Sequence, residues 1–163
     1  MSSARRHWIG SIRKLRTGLL VAATGLSLAC DETSSSSYKT LDDARRDGAV
    51  ARGWLPRAIP DSAINIRETH DIATNETWAA FELPSQKRDA FRHRLNEAQP
   101  SDLAGLRIDA IVTSSWWPRR LTGALAEIVM QQPTCDFYVD AEPREVFVAC
   151  EGEAIIWFWR AAR

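Results

Sequence analysis

Residues 135–160 read CDFYVDAEPREVFVACEGEAIIWFWR, and this stretch decides the fold. Phe137 and Val139 precede a turn signal at Asp140-Ala141-Glu142-Pro143, and Val146 and Val148 follow it. Two alternating apolar segments around such a turn read as a β-hairpin. With the turn centred between residues 142 and 143, Cys135 falls opposite Cys150. Directly opposed cysteines of an antiparallel pair come close enough to bridge. Two buried free thiols are the alternative. After Glu151-Gly152-Glu153, the run from Ala154 to Trp159 is continuously apolar and ends at Arg160. That pattern predicts a central strand covered on both faces.

Working outward, Ile64 to Thr69 alternates apolar and polar residues, and Trp78 to Leu83 gives a second strand. A hairpin pairing Ile66 with Phe81 and Ile64 with Leu83 would place these four on one face. Tyr38 to Val50 reads as a first helix, with Thr40 and Asp43 as a capping box and Gly48 as its end. Pro56 and Pro60 interrupt the next segment, a loop pinned by Trp54, Leu55 and Ile59. Ser85 opens a second helix carrying the i,i+4 pair Phe91 and Leu95. Leu106, Ile108 and Ala110 start a short strand or lie against the core. Leu121, Leu125, Ile128 and Val129 fit a third helix. The expected fold is α+β: a small mixed or mostly antiparallel sheet of about five to six strands, with about three helices packed on one face.

The N-terminal segment has a different character. Arg5, Arg6, Arg13, Lys14 and Arg16 precede an apolar run from Gly18 to Ala29, and Cys30 follows at a sharp change to Asp31-Glu32-Thr33 and four serines. The apolar run falls short of the roughly 20 residues that a membrane-spanning helix needs, and suits the core of a cleaved export signal. Cys30 resembles the acceptor cysteine of a bacterial lipoprotein signal, with Ser27 departing from the usual leucine. Ordinary cleavage nearby and an uncleaved signal anchor are the other readings. The division expected is a signal peptide over 1–29, a flexible polar tether over 30–37 and one globular domain over 38–163. Without residues 1–29, 16 basic residues face 21 acidic ones, a formal charge near −5. With no basic block left, nucleic acid is not an expected partner. Export also favours a disulfide, since such bonds persist in oxidising compartments.

Two constellations stand out as candidate sites. The first is the polar group Glu68, His70, Asp71, Asn75 and Glu76 around the hairpin loop. It reads as a structural polar network, a recognition surface, or an acid–base or cation site. The second is Trp116-Trp117 with Arg119 and Arg120: the tryptophans read first as core and loop anchors, and the competing reading is an exposed aromatic and cationic patch of types enriched at binding hot spots. Ser114-Ser115 lacks the glycine framing of a nucleophile elbow. No Walker, dinucleotide or zinc-protease motif occurs, and no cofactor or metal is expected.

The pieces Asp42 to Ala49, Gly53-Trp54-Leu55-Pro56, Ile59 to Ala63, Ile66 to Asp71 and Thr74 to Trp78 together resemble a group of uncharacterised bacterial lipoprotein-like proteins. Their shared stretch is named after a YbbD head region, and the resemblance spans about residues 38–83. It implies a small exported domain and carries no catalytic assignment. The leading expectation is therefore a non-enzymatic domain of the bacterial cell envelope. Membrane lipid would hold it through acylated Cys30, on the inner membrane if Asp31 acts as a retention signal, with an envelope protein as partner. The alternative is weak hydrolase-like activity centred on the loop of His70 and Glu76.

Overall fold

The computed structural model describes residues 33–111, 114–140 and 144–162. Cys30 and the segment before it lie outside the described residues. The described residues form nine strands: β1 (Thr33–Thr40), β2 (Ile64–Asp71), β3 (Thr77–Glu82), β4 (Asn96–Glu97), β5 (Arg107–Ile108), β6 (Gly123–Ala124), β7 (Cys135–Val139), β8 (Glu145–Cys150) and β9 (Ile155–Arg160). The helices are α1 (Leu41–Asp47), α2 (Ser85–Arg92) and α3 (Leu125–Gln131), with a 3-10 turn at Arg119–Leu121. Seven strands form one antiparallel sheet in the order β1-β2-β3-β9-β8-β7-β4, and β5 pairs with β6 separately. The α+β class holds, with a larger sheet than the five to six strands expected.

β9 lies between β3 and β8, and its side chains alternate between two cores. Ile156 and Phe158 enter the first core, against α1, α2 and the loop after α1. Trp157 and Trp159 enter the second, against α3 and the 3-10 turn. The period of two in an extended chain imposes this division, and β3 and β8 repeat it. Ala79, Phe81, Phe147 and Ala149 face the first core, while Trp78, Ala80, Val146 and Val148 face the second. The helices thus cover both faces, not one as expected. An unbroken apolar strand can be buried only if both its faces are roofed.

The hairpin of β7 and β8 has the register read from its turn. Cys135 pairs with Cys150, and the two are joined by a disulfide. α1 begins at the expected box: the Asp43 N–H donates to Thr40 Oγ1 at 3.2 Å, and the Thr40 N–H donates to Asp43 Oδ2 at 3.1 Å. It ends at Gly48, whose φ of 84° suits a residue without Cβ. Phe91 of α2 meets Phe81 and Phe147 edge-on, with ring centroids 5.8 and 5.5 Å apart.

Three expectations change. Residues 33–37 are not a tether: they belong to β1, which pairs along β2 from Thr33 opposite Asp71 to Thr40 opposite Ile64. A backbone ladder needs no apolar side chains, so an edge strand of serines leaves no hydrophobic signal. Tyr38 to Thr40 belong to this strand too, which shortens the first helix. Finally, the β2–β3 register shifts between Ile64 and Arg67, so Ile64 faces Glu82 rather than Leu83. Asn65 takes a φ of 51° there, and Ile64 is left 41% exposed.

Candidate functional site

The five polar residues around the β2–β3 loop do not converge. Glu68 and His70 lie two apart on β2, on the same side as Ile66, and so point into the first core. His70 Nδ1 and Glu68 Oε2 are 3.0 Å apart, and both residues are buried. Glu76 instead accepts a hydrogen bond from Trp159 Nε1 at 2.8 Å, and Trp159 belongs to the second core. Asp71 Oδ1 accepts the N–H groups of Ala73 and Thr74 at 2.9 and 2.8 Å, an Asx turn that closes the loop. Asn75 takes a φ of 60° in that turn, and its N–H donates to the Asp71 carbonyl. His70 and Glu76 therefore make no joint site, and Asp71 and Asn75 shape the turn.

What surrounds Glu68 and His70 comes from the loop after α1. Trp54 stacks on His70 with ring centroids 4.0 Å apart and an interplanar angle of 17°. The Arg52 guanidinium lies 3.8 Å from the Trp54 ring centroid. A guanidinium, an indole and an imidazole thus form one stack, from the surface down to the buried pair. Gly48 leaves room for it, since a Cβ there would lie 2.8 Å from Arg52 Nη1. Across the strands Ser34 stands opposite His70.

Burial holds the Glu68 carboxyl above its ordinary range, with the contact to His70 pulling the other way. Its Oε1 has no hydrogen-bond partner among the described residues. Glu76 is also raised, first by burial, with the Trp159 bond opposing it. No group of three or more metal-ligating side chains occurs among the described residues.

The tryptophan patch is largely internal. Trp117 is buried, its Nε1 donates to the Leu121 carbonyl at 3.3 Å, and its ring meets Trp157 edge-on at 5.7 Å. Trp116 is half-buried and parallel to Trp157 at 6.5 Å. Arg120 pairs with Glu153 at 2.6 Å, and Arg119 is exposed. The competing reading of an exposed aromatic patch at Trp116-Trp117 therefore shrinks to part of Trp116, because Trp157 on β9 gives both rings a surface to pack on. Sequence reading missed Arg52 as a partner of Trp54. Its only signal was its place two residues before an aromatic loop anchor.

Fold and site together define a two-faced antiparallel α+β domain with a buried carboxylate–imidazole pair under an aromatic cover. Residues 32–82 match the family model of the YbbD head domain. The match takes in β1 to β3, and with them Arg52, Trp54, Glu68 and His70. It starts within the stretch first read as a tether, in keeping with the strand found there. No curated protein and no solved structure matches the chain.

Proposed function

We propose that the working centre of this domain is the Glu68–His70 pair, acting in acid–base chemistry of the hydrolase type. The observation that carries this reading is the 3.0 Å contact between Glu68 Oε2 and His70 Nδ1 within a buried setting. A carboxylate on Nδ1 orients the ring and leaves Nε2 as the atom that takes up or gives a proton. No hydroxyl or thiol is hydrogen-bonded to His70 among the described residues, so water is the nucleophile this arrangement supports. Trp54 covers one ring face, and His70 is only 3% exposed. Turnover therefore requires the Trp54 loop to yield.

The test is a panel of chromogenic carboxylic and phosphoric esters, run on wild type, His70→Gln and Trp54→Ala. Hydrolysis by wild type should fall about 100-fold or more in His70→Gln. Trp54→Ala should raise kcat/KM by uncovering the ring. No hydrolysis above buffer, or a rate indifferent to His70, would overturn the proposal.

The Cys135–Cys150 disulfide favours a second reading, because such bonds persist in exported proteins. In it the domain is a non-catalytic module of the bacterial envelope, held by acylated Cys30 and binding an envelope protein. The aromatic cover over His70 accords with a structural role for the pair. Membrane partitioning and intact mass of wild type and Cys30→Ser test the anchor: an unmodified wild type that partitions like the variant would sink it. Crosslinking from membranes with the anchor retained tests the partner.

A further inference from the structure

An open cleft of about 460 Å³ lies between the loop after α1 and the ends of β8 and β9. Four arginines line it, Arg52, Arg57, Arg144 and Arg160, against the carboxylates of Asp140 and Glu145, and Arg52 pairs outside the lining with Asp47 at 3.1 Å. That positive excess stands out in residues 30–163, whose formal charge is near −5. Arg160 donates to Thr77 Oγ1 at 2.8 Å and lies 3.5 Å from Glu145 Oε1, while its buried Nε has no partner. Arg144 donates to the Ala162 carbonyl at 2.7 Å. Neither Arg144 nor exposed Arg57 pairs with a carboxylate among the described residues. Buried Leu55 and Pro56 supply an apolar wall.

We infer that this cleft binds a small organic phosphate, with its phosphate group on Arg57, Arg144 and Arg160 and its body against Leu55 and Pro56. Guanidinium groups match phosphate oxygens in paired, charge-assisted hydrogen bonds. Arg57 and Arg144 keep positive charge in the cleft that no carboxylate pair among the described residues offsets, and an anion would neutralise it. The volume is in the range of small-molecule sites and exceeds what a bare phosphate fills. Binding here does not depend on chemistry at His70, and its failure would leave that reading untouched.

Calorimetric titration of the full-length protein tests the site. The probes are glycerol 3-phosphate and, below its micellar concentration, a short-chain phosphatidylglycerol. Saturable binding of at least one is expected, weakened about tenfold or more in Arg57→Ala/Arg144→Ala. Both side chains lie at the surface, and circular dichroism confirms that the variant folds. Binding of glycerol 3-phosphate alone identifies a soluble phosphate ester as the ligand source, and binding of the lipid alone identifies a headgroup. Absence of saturable binding by either, an affinity unchanged in the double variant, or equal affinity for succinate would overturn the inference.

Discussion

The two faces of the sheet are built from the same strands, yet they differ in kind. The second face is closed by tryptophans: Trp78, Trp117, Trp157 and Trp159 are all buried there, and the disulfide lies on the same side. The first face is filled by phenylalanines and small residues at its centre. Toward the β2 edge it admits a buried carboxylate, an imidazole and a threonine, Glu68, His70 and Thr77. Burying such groups is costly unless they are paired, and Glu68 Oε1 is unpaired. The second face has an unpaired atom too, Trp78 Nε1, but the buried carboxylate and imidazole belong to the first. The first gives up some stability at one end, where the cleft and the stacked ring lie.

The sharpest way to break this contrast is to cut into the centre of the first face. Phe158→Ala, at a fully buried position beside Phe147, should cost about 3–5 kcal/mol in urea unfolding. A much smaller loss would mean that the first face is loosely packed throughout. Next comes the second face's staple. Cys135→Ala/Cys150→Ala should lose about 3 kcal/mol, the scale expected for closing a loop of this length. Reductant should lower the unfolding midpoint of wild type and leave that of the double variant unmoved. A smaller step tests the local signal that starts α1: Thr40→Ala should cost about 1 kcal/mol, read as a shift in midpoint at constant slope.

The finest test is a slope. Glu68 has a raised folded-state pKa, first because of burial, with His70, the Ser36 hydroxyl and more distant Arg52 opposing. The unfolded chain therefore releases this proton at lower pH than the folded one. The contribution of Glu68 to stability falls as pH climbs from the ordinary carboxylate range to the raised value, and is level above it. Glu68→Gln removes the group, so wild type should lose ground to the variant over that window in paired melting curves. A difference independent of pH would place Glu68 in a wetter setting than its burial implies.

Much of this architecture is legible in the chain because turn chemistry and periodicity agree there. The β7–β8 register follows from one turn and the pairs Val139–Val146 and Phe137–Val148, and the cysteines check it. The α1 ends follow from Thr40, Asp43 and Gly48. β1 was illegible for a physical reason: Thr33 to Ser37 pair through the backbone, and serine side chains carry no pattern. The bulge at Asn65 was hidden because alternation alone does not count an inserted residue. The candidate site was half legible. Glu68 and His70 are two apart in an alternating strand, which puts both on one face. That Glu76 would turn to Trp159 depends on the far end of the chain, and so does the placing of Arg144 and Arg160 beside the loop after α1.

β9 has a consequence for how this sequence tolerates insertions and deletions. Each residue from Ile156 to Trp159 is committed to one core, and its neighbour to the other. Removing one residue inside β9 hands every side chain beyond the lesion to the wrong side, sending tryptophans to sites shaped for Ile156 and Phe158. Removing two restores the assignment at the expense of strand length. Length variation within this strand is thus governed by parity: even changes shorten or lengthen the domain, and odd ones turn it inside out.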